Sequence, residues 1–183
     1  MVGTMTAQTP RDLDAAAEAA LARLIVLLRK ATTARAAAWA ISSEAIAALG
    51  LEDCIVYLLN ERGDMLTQVA AYGPKLKAPN VIENAITLRV GQGVVGACAQ
   101  ARCTIRINDT RVDKRYVMDD DVRLSELAIP LLHEGVLLGV LDSEHSRIDY
   151  YGDRHVRVLT QMASLLAAHL AALIQAGTAA ADN

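Results

Sequence analysis

Apolar positions recur along the chain with distinct periods, and each period predicts an element. Leu13, Ala17, Ala20, Leu24, Leu27, Ala31 and Ala34 follow one another at alternating steps of four and three, the seam of a helix able to pair with another. The helical pattern continues to Leu49 and stops at Gly50, a residue suited to the end of a helix. Residues 54–59 and 65–72 are β-type runs joined by the turn residues 60–64, which predicts a hairpin. A polar, Pro-containing stretch without a predicted element follows. Residues 86–89 form a short strand leading into the glycine-rich 91–96 and a short helix to Ala101, and 104–107 is a further strand. Residues 125–132 and 136–143 flank His133-Glu134-Gly135 as a second hairpin that is apolar at almost every position. Antiparallel strands with one wet face alternate; these do not, so both of their faces must be covered. Residues 153–176 form a last helix with Val156, Leu159, Ala163, Leu166, Leu170 and Leu173 along one stripe.

Helices at both ends of a mostly antiparallel sheet predict an α+β sandwich, in which helices cover one face and a roof of loops and one short helix covers the other. Such a roof leaves room for a pocket. With 183 residues there is length for one core. The expected layout is a disordered N-terminus over 1–10, a dimerisation helix over 11–34, a domain over 35–176 that includes the last helix, and a disordered tail over 177–183. The segment 108–123, with Asp119-Asp120-Asp121, is too polar for a core element and is expected at the surface.

Composition narrows the function. The hydrophobic share is 53%, but much of it is alanine, which favours helix rather than lipid. The run Leu24-Ile25-Val26-Leu27-Leu28, bracketed by Arg23 and Arg29, falls far short of the roughly 20 residues that span a bilayer. No secretory leader pattern is visible, and the odd count of three cysteines fits free thiols; a cytoplasmic protein without a membrane partner is expected. A net charge of −3 without basic clusters argues against nucleic acid. Cys54, Cys98 and Cys103 make no CxxC pair, and His133, His145, His155 and His169 have no ligand spacing, so neither a metal nor any other cofactor is expected. The glycines of 91–96 lack the Lys-Ser/Thr of a phosphate loop and read as a tight turn.

The runs GQGVVGACAQ (91–100), INDT with VDKRY (107–116), LSELAIPLL (124–132) and GVLLGVLDSEH (135–145), in this order, resemble the GAF domains of bacterial sensor kinases and related regulators over about residues 35–175. The resemblance implies a GAF/PAS-like fold and a regulatory role: a homodimer joined through terminal helices that senses a small molecule and signals through a partner protein. A second expectation from the same resemblance is enzymatic. The free methionine-R-sulfoxide reductases share the glycine, Ser-Glu and Asp-x-acid features, but their cysteines would fall at Val95, Ile105 and Asp119, and a thiol has no substitute there as redox nucleophile. A third is a ligand-free dimerisation module. Bilin-binding members attach the chromophore at a Cys-His pair, whereas Cys103 is followed by Thr104.

The acids are the strongest candidates for chemistry. Asp142 and Glu144 share a strand face at a spacing of two, and a hairpin about 133–135 would bring Glu126 beside them. In the reductases the matching acids hold the substrate's amine, so an amine-bearing ligand is expected. The opposing expectation is of solvated strand ends neutralised by Arg115 or Arg123. With no Phe and one Trp, Tyr57, Tyr72 and Tyr116 are the aromatic material for a pocket. The expected ligand-binding set is Tyr57, Tyr72, Val95, Tyr116, Asp119, Glu126, Asp142 and Glu144, with no catalytic residue.

Overall fold

Thr33 divides the N-terminal helical pattern in two. In the computed structural model, which describes residues 10–119 and 121–181, α1 spans Pro10–Lys30 and α2 spans Ala34–Leu49. Thr33 is extended, and its hydroxyl accepts the Ala36 N–H at 3.2 Å, which satisfies one of the free donors of α2. Gly50, at φ 64°, closes α2 with its N–H on the Ile46 carbonyl at 2.8 Å, a left-handed cap that suits glycine. Of the disorder expected over 1–10 and 177–183, residues 1–9 and 182–183 lie outside the described residues, as does Asp120, whereas Pro10 opens α1 and residues 177–181 continue α4 as helix.

Among the described residues eight strands follow: β1 Cys54–Leu59, β2 Met65–Tyr72, β3 Leu76–Ala78, β4 Val81–Ile82, β5 Thr87–Arg89, β6 Ile105–Ile107, β7 Ser125–His133 and β8 Val136–His145. Six of them form one antiparallel sheet in the order β5-β2-β1-β8-β7-β6. The pair β3–β4 is a separate hairpin, in the stretch for which the pattern predicts nothing. α3 (Gly93–Ala101) lies between β5 and β6, and α4 (Asp153–Ala181) ends the described chain. Asn60 shapes the first hairpin, its Oδ1 accepting the N–H groups of Asp64 and Met65 at 3.1 and 3.2 Å. Glu134 and Gly135, at φ 49° and 81°, make the tight turn of the second.

The two faces of the sheet have separate cores. Val56, Leu127, Ile129, Leu131 and Leu141 pack with the helices α1, α2 and α4. Ile55, Tyr57, Leu66, Ala128 and Val140 pack with α3 under the roof. The covered α+β sandwich expected from the second hairpin is therefore the observed fold. On α1 the buried stripe is Ala17, Ala20, Leu24, Leu28 and Ala31, while Leu27 is 36% exposed. A stripe of period 3.6 drifts from the 3.5 of a coiled coil, and α1 spends it on α2 and α4 of its own chain.

Among the described residues one helix, α4, is long and apolar enough to cross a membrane by length and composition. Its Val158, Leu159, Met162, Ala163, Leu166 and Leu170 are buried, and it packs on β7 and α2.

Candidate functional site

The register of β7 and β8 sets Glu126 opposite Glu144 and Ala128 opposite Asp142, and β1 sets Ile55 beside Asp142. All three acids lie on the roof face, and they are only 4%, 3% and 5% exposed. Burial pushes the Glu126 and Asp142 carboxyls well above the usual carboxylate range. The Glu144 charge adds to the effect at Glu126, and the Glu126 and Asp53 charges add to it at Asp142. A hydrogen bond joins Glu126 to Asp142; two carboxyls can make one only by sharing a proton. Asp142 Oδ1 is buried, and no N–H or hydroxyl donor in the protein reaches it. The acids are thus buried rather than solvated strand ends, and the Glu126 charge acts on Arg115. Arg115 pairs with Asp113 at 2.7 Å, and Arg123 lies 3.7 Å from Asp53 and 3.8 Å from Asp121.

Asp53, just before β1, anchors the end of β8. Its Oδ1 accepts the Glu144 N–H at 2.6 Å, and its carbonyl accepts the Ser143 hydroxyl at 2.7 Å. Across the cavity, the buried Tyr57 hydroxyl accepts from Gln68 Nε2 at 2.8 Å. The same amide nitrogen donates to Asp119 Oδ2 at 2.7 Å, and Gln68 Oε1 accepts Lys75 Nζ at 2.9 Å and the Ile86 N–H at 3.1 Å. Lys75 also forms an ion pair with Asp119 in which both side chains are buried.

These groups enclose a cavity bounded by Tyr57, Leu88, Val95, Val117, Asp119 and the three acids. It offers about 20 Å³ to water centres, room for about one molecule of water. Val95 sits in the first turn of α3, which approaches β5 closely because residue 96 is glycine; a Cβ there would run into the Arg89 carbonyl. Tyr116 does not bound the cavity; its hydroxyl accepts the Arg123 N–H at 3.1 Å and donates to the Asp121 carbonyl at 3.4 Å, and burial and the Glu144 charge push its pKa up.

Tyr72, unlike Tyr116, lies on the opposite face of the sheet from the cavity. β1 pairs Val56 with Ala70 but Tyr57 with Gln68, so Val69 is an extra residue in β2. Alternation carries Leu66 and Gln68 to the roof face, and beyond the bulge its phase is reversed. Tyr72 therefore faces α2, beside Trp39 and Ser43. Of the three positions matched to reductase cysteines, Val95 and Asp119 bound the cavity and Ile105 lies on β6. Cys98 is buried, its thiol pushed up by burial and by the Asp142 charge, while Cys103 is exposed.

Gln68, Lys75 and Asp53 were not among the expected residues. Gln68 left one signal, a lone amide in a strand whose only other non-aromatic polar residue is the exposed Thr67.

Residues 31–171 match the family model of the GAF domain. The chain belongs to the GAF domain family. GAF domain-containing protein A of Dictyostelium discoideum is 28% identical over 79 residues, which are 43% of this chain and 50% of that protein; the chain spans about half the length of this curated relative. The free methionine-R-sulfoxide reductase of Neisseria meningitidis, solved with its substrate, superposes with a TM-score of 0.79 at 20% identity, over 96% of this GAF domain chain and 99% of that one. The GAF domain of a phosphoenolpyruvate-protein phosphotransferase from Coxiella burnetii gives 0.78 at 18%, over 90% and 98%. At such identities the likeness is one of fold, and the fold hosts unrelated functions.

Proposed function

We propose that this GAF domain is a regulatory module that binds a small molecule through an ammonium group at Glu126, Asp142 and Glu144, with no catalysis of its own. The observation that carries the reading is Asp142 Oδ1, reached by no N–H or hydroxyl donor, at a cavity ringed by buried acids. An ammonium ion would supply charge-assisted hydrogen bonds to acids that otherwise repel one another. A thermal-shift screen of amines and amino acids at neutral pH, followed by calorimetry on Glu126→Gln and Asp142→Asn, tests it. Hits that are all anionic or neutral, or affinities unmoved by both substitutions, would sink it.

The competing enzymatic reading draws on the reductase fold and meets a chemical obstacle. The thiols here stand at other positions, and the roof-side one, Cys98, is buried and poorly ionised. Thiol-dependent reduction of free methionine sulfoxide that is lost in Cys98→Ser or Cys103→Ser would establish it. The module is further proposed to act as a cytoplasmic homodimer and to pass its signal to a partner protein. Support for association comes from Ile25 and Val26 on α1 and Ile174 on α4, which are 39%, 51% and 56% exposed.

A further inference from the structure

Arg35, Trp39 and Ser43 stand four residues apart along α2, so their side chains form one row on the helix. Trp39 and Ser43 border a cavity of about 490 Å³ on the helix side of the sheet, closed by Tyr72 and by Leu76, Lys77 and Pro79 of the β3–β4 hairpin. That is the size of a small-molecule site. Arg35 meets the same hairpin at its tip, where Nη2 donates to the Asn80 carbonyl at 3.1 Å. Trp39 is the chain's only tryptophan and is 8% exposed. Its indole nitrogen is buried, and no acceptor in the protein reaches it, whereas a buried indole N–H ordinarily has a partner. Lys77 pairs with Glu83 at 3.4 Å, so its charge is balanced. Among the described residues no carboxylate pairs with Arg35, which leaves the mouth of the cavity positive.

We propose that this cavity is a second ligand site, for an aromatic carboxylate, whose ring lies against Trp39 and Tyr72 and whose carboxylate accepts from the Arg35 guanidinium and the Trp39 indole N–H. The site lies across the sheet from the roof-side acids and stands whether or not the ammonium reading does. One carboxylate has lone pairs for both donors, which are a single helical turn apart. The guanidinium makes a charged acceptor better than a neutral one. A flat ring suits walls made of Trp39, Tyr72 and Pro79, because aromatic pairs gain beyond the area they bury, and Tyr72 is 37% exposed, with ring surface left to cover. The indole nitrogen is closed to solvent as the cavity stands, so entry shifts the tip of the hairpin. That tip can give: β3 and β4 form a sheet of their own, residues 77–81 are exposed, and the Arg35 bond to Asn80 is the one the carboxylate takes over. The base stays fixed, with Lys75 buried on Gln68 and Asp119 and Ile82 packed on the core.

The test takes benzoate, its neutral counterpart benzamide and the saturated cyclohexanecarboxylate as probes on the full chain, with calorimetry for affinity and a nitrogen–proton correlation spectrum for location. One tryptophan gives one indole signal. A ligand that bonds the indole N–H moves that signal downfield, and a ligand in the roof-side cavity, across the sheet, leaves it in place. Benzoate should move it, and should bind at least about tenfold more tightly than benzamide, the scale of one charge-assisted hydrogen bond. Its advantage over cyclohexanecarboxylate should be about threefold or more, the scale of an aromatic pair. Arg35→Gln, at an exposed position that the fold tolerates, should erase the preference for benzoate over benzamide, and Tyr72→Ala the preference over the saturated ring. Benzamide or the saturated acid bound as tightly as benzoate, a charge preference that survives Arg35→Gln, or an indole signal that benzoate leaves in place overturns the proposal. Absence of binding by every probe at millimolar concentration overturns it as well. None of these outcomes bears on the ammonium site, whose probes carry the opposite charge.

Discussion

Glu126 and Glu144 face each other directly across β7 and β8, on the covered side of the sheet. Like charges at such a pair are destabilising, and Asp142, two residues along β8, adds a third carboxyl to the same face. Apolar residues in these places would make a more stable sheet. Acids kept where they weaken the fold are the feature on which the binding proposal rests.

Removing that cost should stabilise the chain. The Glu126 and Asp142 carboxyls hold their protons more tightly when folded than when unfolded. Stability is therefore greatest at low pH with respect to these groups, and it falls as pH rises from about 4, where the unfolded carboxyls ionise, through the raised folded values. Asp142→Asn should gain about 1–2 kcal/mol at pH 7, or about 3–6 °C in Tm, and the gain should shrink toward pH 4. Melting curves against pH read both effects, and an unchanged or lower Tm at pH 7 contradicts the shared-proton geometry.

Amine binding should follow the same proton. An ammonium ligand needs the pair ionised, so affinity should rise with pH until the shared proton is lost from the free protein, with release of up to one proton per ligand. Calorimetry in buffers of different ionisation enthalpy measures that release directly. Binding without proton release places the ligand elsewhere.

Lys75 and Asp119 are mutually dependent. Lys75→Met strands a buried carboxylate and should cost about 3–5 kcal/mol, whereas the double variant Lys75→Met with Asp119→Leu should recover most of it. A double-mutant cycle by denaturant titration gives the coupling, and additive losses would show that the pair is not a closed unit.

Association, if the homodimer proposal is right, belongs to the outer face of α1 rather than to its seam. Leu24 is wholly buried inside the chain, so a charge there would unfold α1. Val26→Glu with Ile25→Glu should instead weaken the dimer and shift Tm by no more than about 2 °C. A clean monomer for the unsubstituted chain in micromolar sedimentation removes the proposal.

Of the three cysteines, Cys103 alone should titrate promptly with a disulfide reagent in the native state, and Cys54 and Cys98 only on unfolding. The latter two are buried and their thiols are pushed up by it. Equal rates for Cys98 and Cys103 would refute the burial of α3 under the roof.

Long periodic elements were legible from the chain alone. β7, β8 and α4 declare themselves because many residues repeat one pattern, and the turn at 133–135 brings the two strands together; an irregularity between Leu131 and Leu132, which the pattern does not show, shifts the register by one and sets Glu126 opposite Glu144 instead of Ser143. What stayed hidden turned on single residues. Thr33 ends a helix by one side-chain hydrogen bond, which alanine periodicity does not register. The extra residue Val69 reverses a strand's faces and takes Tyr72 out of the cavity, although every residue of β2 suits a strand. Lys75 looks like an ordinary turn lysine between Pro74 and Leu76; only the fold shows that it meets an aspartate 44 residues on.

Ser143 lies between Asp142 and Glu144 and points the other way. Its hydroxyl donates to the Asp53 carbonyl, so the Tyr151 hydroxyl 2.8 Å away must be its donor, and Tyr151 stands two residues before α4. Successive side chains of a pleated strand point to opposite faces. The end of β8 is thus wired to both layers at once: its acids face the cavity, and the residue between them is hydrogen-bonded to the root of α4 on the opposite face of the sheet.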